Sequence, residues 1–203
     1  MTGQHGFARN MEWKTDFVNG NVARFVLESD QHTRALWNHD FRLEYTVEVN
    51  EDCLRTSIKV ENKNLNQNFD FTALLHTYLS ADVSKCSIKG LKDIQYSDKE
   101  DPENRKNESQ TDIIINEEVD RVYFNTPSSL ILDQPNYKLQ VTKEGFSDTV
   151  VWNPWITKAK AMVDLPDNGY TKFVCIENGT VGTAVTLQAG QSWVAGQTIR
   201  VIK

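Results

Sequence analysis

Two ionisable residues, His76 and Glu177, lie in apolar segments whose pattern is that of β-strands. His76 lies within DFTALLHTYL at 70–79, and Glu177 ends the apolar run FVCIE at 173–177. A histidine exchanges a proton near neutral pH, and burial raises the pKa of a carboxyl group toward the same range. The residue types therefore allow a pair that exchanges protons with a ligand.

Each of these residues also has an ordinary structural interpretation. A histidine within a strand is commonly a core or rim residue that hydrogen-bonds to satisfy its burial. Glu177 precedes Asn178-Gly179, a dipeptide typical of tight turns, so its carboxylate could lie in water at the end of a strand. Local context alone favours the ordinary structural role for each residue.

The segment GQHGFARN at 3–10 contains a second polar pair, His5 and Arg9. Glycines flank His5, as happens where the backbone passes close to a ligand. The planar guanidinium of Arg9 matches the oxygens of a phosphate group, although an arginine near a terminus is more often solvated. A phosphate clamp and a solvated side chain both remain open for Arg9.

Two further motifs carry candidate binding residues. Asp120 and Arg121 are adjacent in VDRVY, so their side chains point to opposite faces of an extended strand and cannot pair with each other. Trp152 and Trp155 in VVWNPW could stack on a sugar ring. Core packing is the favoured role for these rings, because the intervening Asn-Pro breaks the strand and fixes a turn.

The elements that must position these residues are β-strands. Apolar and polar residues alternate at 41–49 and again at 54–60, and the turn-like NEDC between them predicts a hairpin. Further strands are predicted at 22–28, 71–79, 86–89, 113–115, 129–132, 137–141, 148–152, 171–177, 181–187 and 193–202. No segment has the helical periodicity that crossover helices need, so the pattern predicts an antiparallel β-sandwich.

The segment at 97–112, SDKEDPENRKNESQTD, is almost wholly polar and has no face to bury. We expect an exposed loop there. Because strands resume on both sides, this loop is interpreted as an insertion within a single domain that spans 1–203.

Composition excludes several classes of partner. The formal charge of -6 and the pI near 5.3 argue against nucleic acid and against anionic membranes, because an acidic surface gains no energy from releasing their counterions. The three cysteines lack the CxxC spacing of a zinc site, and no apolar run approaches the length of a membrane span. We expect a cytoplasmic monomer without a metal ion.

Taken in order, QHGFAR, LLHTYL, DRVY, DTVVWNPWITKAKAM and FVCIE resemble the glucose-6-phosphate 1-epimerases, also called hexose-6-phosphate mutarotases. The resemblance runs nearly from end to end. It implies an all-β fold, the large twisted antiparallel sandwich of galactose-mutarotase-like proteins. It also implies an isomerase that interconverts the anomers of a hexose 6-phosphate by acid/base chemistry and requires no cofactor.

The same resemblance assigns roles to individual residues. His76 takes the position of the catalytic acid and Glu177 that of the catalytic base. The implied substrate-binding residues are Gln4, His5, Arg9 and Asp120. Arg9 would hold the 6-phosphate, Asp120 the sugar hydroxyls, and His5 would line the sugar pocket.

Members of this family carry several strands before QHGFAR, together with a further phosphate-binding arginine. The resemblance therefore implies an N-terminally truncated sandwich. Two alternatives follow. The chain could be a non-catalytic sugar-phosphate-binding module derived from an epimerase, or an epimerase for unphosphorylated aldoses.

Overall fold

The computed structural model describes residues 5–202, which fold mainly as antiparallel β-strands. The strands are β1 (Lys14–Asn19), β2 (Val22–Glu28), β3 (Phe41–Val49), β4 (Cys53–Asn62), β5 (Phe69–Leu75), β6 (Tyr78–Ser80), β7 (Ser87–Lys89), β8 (Gln95–Asp98), β9 (Asp101–Asn107), β10 (Asp112–Ile113), β11 (Val119–Tyr123), β12 (Ser129–Asp133), β13 (Lys138–Glu144), β14 (Asp148–Asn153), β15 (Phe173–Leu187) and β16 (Ser192–Ile202). Two short α-helices, α1 (Gln31–Leu36) and α2 (Trp155–Ala161), and two 3-10 turns, Ala8–Asn10 and Gly169–Lys172, interrupt the strands. The predicted all-β class is confirmed.

The chain divides into two compact units. The first contains the described residues up to Phe71 together with Ala184–Gln197, and the second contains Thr72–Thr183 and the residues from Thr198 onward. Organisation of 1–203 as a single domain stays a prediction.

In the first unit, the strands form a sheet in the order β1-β2-β3-β4-β16. β3 and β4 pair from Phe41↔Asn62 to Val49↔Leu54, so the predicted hairpin is confirmed. Phe41 and Leu43 point into an apolar core against which Trp37 packs. The alternation of apolar and polar residues thus marks the buried face of this sheet, as a period of two requires.

The second unit is a sandwich of two sheets. One sheet has the order β13-β12-β7-β10 beside the end of β16, and the other has the order β5-β15-β14-β11-β8-β9 with β6 paired to β15. Apolar side chains from both sheets share one core: Leu79, Ile88, Tyr123, Leu130, Leu132, Val141, Val151, Val174 and Ile176. The sheet that carries β15 therefore has one face turned toward this core.

The expectation of a loop at 97–112 is wrong for most of the segment. Gln95–Asp98 and Asp101–Asn107 pair as the antiparallel hairpin β8–β9, at the edge of the sheet. Most side chains of β9 are exposed, as predicted. Backbone pairing needs no apolar face, and charged residues on an edge strand oppose further pairing, so a wholly polar strand is stable there.

The turn expected at Asn178-Gly179 is also wrong. β15 continues without interruption from Phe173 to Leu187, so Glu177 lies inside a strand and not at its end. A Cβ atom on Gly179 would lie 2.8 Å from the carbonyl oxygen of Ala73. Crowding by the neighbouring strand, and not a turn, accounts for this glycine.

The longer of the two α-helices, α2, has 7 residues, whereas a transmembrane helix needs about 20. Among residues 5–202 no helix could cross a membrane.

Asp148 anchors the part of β15 that follows Glu177. Its carboxylate accepts hydrogen bonds from the backbone N–H groups of Asn125 at 3.1 Å, Val181 at 2.9 Å and Gly182 at 2.8 Å. Burial opposes the charge, but these donors hold the pKa of Asp148 below its ordinary value. The carboxylate therefore stabilises the strand that carries Glu177.

We expect Asp148→Ala to lower the free energy of unfolding by about 3 kcal/mol, because three backbone N–H groups in partly buried hydrogen bonds lose their acceptor. The deficit should shrink as the pH falls from 3.8, the ordinary pKa of an aspartate, toward the lower pKa of folded Asp148, because the unfolded wild-type chain then binds a proton that the folded protein does not. Urea denaturation at several pH values measures both effects. Asp133→Ala, which removes only ion pairs with the partly exposed Lys89 and Lys138, should cost less than about 1 kcal/mol. Equal losses in the two variants would contradict this account.

Candidate active site

His76 and Glu177 lie next to each other on the second unit, with His76 Nε2 3.4 Å from Glu177 Oε1. The pairing of β6 with β15 explains this position. Tyr78 pairs with Cys175, and extending that antiparallel register by two residues places His76 opposite Glu177. The structure brings together the two residues that the sequence singles out, while their roles stay predictions.

His76 does not lie on a strand, in contrast to the expectation of a continuous strand at 71–79. β5 ends at Leu75 and β6 begins at Tyr78. The Thr77 hydroxyl donates a hydrogen bond to the carbonyl oxygen of Leu75 at 3.1 Å inside this break. The imidazole consequently keeps partial access to solvent, with 28% of its side chain exposed against 4% for Glu177.

One face of the sheet carries the candidate site. On β15, Val174 and Ile176 point into the core, so Cys175 and Glu177 point to the opposite face. Cross-strand partners share a face. The row of partners on β11, β14, β15 and β6 is Asp120, Trp152, Cys175 and Tyr78. A single face therefore presents the predicted acid, base and hydroxyl-binding residues.

Aromatic rings surround the imidazole of His76. The Tyr78 ring stacks on it with centroids 4.9 Å apart, and the Trp152 ring meets it edge-on at 5.9 Å. Phe173 packs against both Tyr78 and Trp152. The sequence motifs alone indicate no site role for Tyr78, Phe173 or Cys175. Their period-two phase with His76 and Glu177 was the signal that could have identified them.

Glu177 is almost fully buried, with 3% of the whole residue exposed. Burial raises its pKa to about 8, the nearby Asp120 carboxylate acts in the same direction, and a hydrogen bond from Cys175 opposes the shift. A group with this pKa exchanges its proton close to neutral pH, which suits a general base.

The thiol of Cys175 lies close to His76 and Glu177 and is fully buried. Burial and the proximity of Glu177 raise the pKa of this thiol above its ordinary value. Ligand atoms of His76, Cys175 and Glu177 lie within 4.8 Å of one another, and among residues 5–202 this is the group whose spacing could hold a metal ion. Zinc requires deprotonated ligands. Because the thiol of Cys175 and the carboxyl group of Glu177 both favour their protonated forms, the arrangement suits proton exchange better than it suits binding of a metal ion.

Asp120 lies within reach of two lysines. Its carboxylate is 3.1 Å from Lys99 Nζ and 3.8 Å from Lys158 Nζ. Arg121 instead pairs with Asp98 at 3.3 Å. The prediction that Asp120 and Arg121 do not pair is therefore confirmed.

The N-terminal candidates belong to the first unit. His5 is exposed and has a positive φ of 63°, beside Gly6 at 69°. Arg9 is exposed on the 3-10 turn Ala8–Asn10. Gln4 lies outside the described residues. The binding roles of all three stay predictions.

The two tryptophans of VVWNPW have different surroundings. β14 ends at Asn153, whose side-chain oxygen accepts a hydrogen bond from Trp155 N at 2.9 Å, and α2 begins at Trp155. The Trp155 ring packs against the core of the second unit, as predicted for a structural anchor. Trp152 instead lies on the face that carries His76 and Glu177.

The chain belongs to the aldose 1-epimerase family, because the model of that family matches residues 2–200. A protein of Cenchrus ciliaris named "Putative glucose-6-phosphate 1-epimerase" is 37% identical over 205 residues, which cover 94% of this chain and 62% of the relative. A protein of Escherichia coli K12 with the same name is 32% identical over 208 residues, covering 98% of this chain and 68% of the relative.

A solved structure supports the fold. The crystal structure of a "putative mutarotase (YeaD)" from Salmonella typhimurium matches with a TM-score of 0.87 and 28% identity, covering 98% of this chain and 68% of that one. The predicted galactose-mutarotase-like fold is confirmed. The chain spans 62% of the length of the plant relative.

We expect Glu177→Gln to remove a pH dependence from the free energy of unfolding. The carboxyl ionises near its ordinary pKa of 4.5 when unfolded and at about 8 when folded. Wild type therefore loses stability as the pH rises between these values, by up to about 1.4 kcal/mol per pH unit. Chemical denaturation from pH 5 to pH 9 should show a smaller loss for Glu177→Gln. Glu51→Gln, at an exposed position, should follow wild type. Parallel curves for all three proteins would refute the raised pKa.

Proposed function

We propose that this chain interconverts the α and β anomers of a hexose 6-phosphate, with Glu177 as the base and His76 as the acid. The observation that carries the proposal is the 3.4 Å approach of His76 Nε2 to Glu177 Oε1 on one face of a sheet. Membership of the aldose 1-epimerase family supports the reaction, and the names of the two relatives support the phosphorylated substrate.

Anomer exchange requires the sugar ring to open. A base removes the proton of the C1 hydroxyl group, while an acid donates a proton to the ring oxygen, and the C1–O5 bond breaks as the carbonyl forms. Rotation about C1–C2 then presents the other face of the carbonyl, and the same two groups act in reverse. The proton count is unchanged over the cycle, so two groups suffice and no cofactor is required.

The separation of the two side chains suits this chemistry. The C1 hydroxyl oxygen and the ring oxygen are bonded to the same carbon, so the acid and the base must act side by side. A pair that is 3.4 Å apart can address both oxygens of one ligand. In this scheme the carboxylate of Glu177 accepts the proton of the C1 hydroxyl group, and the imidazolium of His76 donates a proton to the ring oxygen.

The pair must hold one proton in total, located on His76. With two protons there is no base, and with none there is no acid, so we expect a bell-shaped pH profile whose two limbs belong to the pair. The burial that raises the pKa of Glu177 moves the acidic limb upward from the ordinary range of a glutamate. An adjacent imidazolium favours the carboxylate once the pair is in its productive form.

The surroundings of the pair supply groups that could orient a sugar. Asp120 lies on the same face, two strands from Cys175, and its carboxylate can accept hydrogen bonds from sugar hydroxyls. Trp152 and Tyr78 offer apolar surface to the C–H groups of a pyranose ring. These residues would hold the ring while the pair acts on C1 and O5.

We assign the phosphate contact to Arg9. Its side chain is exposed on a 3-10 turn next to Phe7, whose ring packs against Phe41 and thereby anchors the turn. A guanidinium can form two parallel hydrogen bonds with a phosphate. His5, on the same segment, would help to stabilise charge that develops on the sugar.

We expect His76→Gln and Glu177→Gln each to lower the rate of anomer exchange by about 10²- to 10⁴-fold, because each removes one proton-transfer group. Exchange NMR on glucose 6-phosphate, with glucose as the comparison, measures this rate. His32→Gln, on the exposed surface of α1, should retain the wild-type rate. Binding without exchange in wild type would favour a non-catalytic sugar-phosphate-binding module. Equal exchange on free glucose would contradict the phosphorylated substrate.

We expect Arg9→Ala to raise KM for glucose 6-phosphate by about 10-fold or more, because a charge-assisted pair with the phosphate is lost. The slower exchange of free glucose should not change. Arg34→Ala, which removes an exposed arginine of α1, serves as the matched control. If the preference for the phosphorylated sugar survives in Arg9→Ala, the assignment of Arg9 is wrong.

A further inference from the structure

We infer that Tyr78 is a positioning residue that orients the His76 imidazole and stabilises its protonated form. The effect of Tyr78 on catalysis rests on the proposed function, because only a catalytic acid needs that proton. The effect of Tyr78 on the protonation of His76 does not depend on the proposed function.

Tyr78 and His76 form a near-parallel stack. Their ring centroids are 4.9 Å apart and their planes differ by 16°. Trp152 meets the imidazole at 76°, so two rings at steep angles to each other limit its rotation. Since His76 lies in a break between strands, the backbone alone does not determine its orientation.

Burial in the core does not account for the position of Tyr78. More than half of the residue is exposed, at 53%. On the three-residue strand β6, its neighbour Leu79 points into the core instead. Tyr78 is held from the side by Phe173, whose ring centroid is 4.9 Å away. The ring face of Tyr78 stacks on the imidazole of His76.

The face of a tyrosine ring carries negative charge density and attracts a cation whose centre lies within about 6 Å. The stack with His76 meets that distance. The attraction is present only when the imidazole is protonated, so the ring favours the acid form. Removing the ring face should make His76 lose its proton at a lower pH.

Other groups also act on this imidazole. Glu177 and Cys175 face it from β15, Trp152 faces it from β14, and Asp120 on β11 acts on Glu177. An ionised Glu177 favours the imidazolium as well. Separating the effect of Tyr78 therefore requires a background in which residue 177 carries no charge.

The test is an NMR titration of the histidine Cε1–H signals. The chain has four histidines, so His76→Gln identifies the signal by its disappearance. In the Glu177→Gln background, we expect Tyr78→Leu to lower the His76 midpoint by about 0.5 pH unit. Tyr78→Phe, which keeps the ring face, should leave the midpoint unchanged. Tyr45→Leu removes a half-buried tyrosine of the first unit and should also leave it unchanged.

A graded series keeps the test decisive if Tyr78→Leu does not fold. Phenylalanine with increasing fluorination at position 78 keeps the shape of the ring while withdrawing charge from its face. We expect the midpoint to fall stepwise with fluorination. In a protein with wild-type Glu177, the basic limb of the pH profile of kcat/KM should move to lower pH together with the His76 midpoint.

The outcomes separate this inference from the proposed function. If the titration midpoint of His76 depends on the ring face at position 78 but the protein does not exchange anomers, the role of Tyr78 is supported and the proposed enzymatic function is rejected. A midpoint that is the same in Tyr78→Leu and Tyr78→Phe, or one that is insensitive to fluorination, would overturn the inference even if anomer exchange is observed.

Discussion

The arrangement of the candidate site depends on the antiparallel pairing of β6 with β15. Pairing of Tyr78 with Cys175 sets a register in which His76 lies opposite Glu177. A shift of this register by one residue would turn the neighbouring core residues toward the ligand face. Because Leu79, Val174 and Ile176 are buried on the other face, the core itself opposes such a shift. Core packing on one face of the sheet thus fixes the relative positions of His76 and Glu177 on the opposite face.

The same packing has an electrostatic consequence. A carboxyl group at 3% exposure loses hydration, so its pKa rises to about 8. Had Glu177 been at a strand end in water, it would have been a weak base near neutral pH. The uninterrupted course of β15 through Gly179, where a side chain would collide with Ala73, keeps Glu177 inside the sheet. Gly179, which the sequence predicts as a turn residue, thus helps to make Glu177 more basic.

Much of the strand pattern could be predicted from the sequence, because apolar and polar residues alternate with the period of a half-buried strand. β2 and β3 match the predicted bounds, and β12 and β14 match within one residue. The pattern failed where structure does not depend on a buried face. The pattern predicts a loop for β9, which has no apolar side, and a continuous strand through the break at His76, because apolar residues flank that break. β9 depends on backbone pairing with its neighbour β8, and the break at His76 depends on the pairing of β6 with the distant β15.

Residue types and their order by themselves determined the family, the all-β class and the identity of His76 and Glu177 as candidates, because these follow from local pattern and from motifs. Only the tertiary structure decided that the two side chains are 3.4 Å apart, since 100 residues lie between positions 76 and 177 in the chain. Only the tertiary structure surrounded the imidazole with Tyr78 and Trp152, because these rings come from different strands. Protonation and proximity are properties of the environment that the whole fold creates, and a local sequence pattern does not contain them.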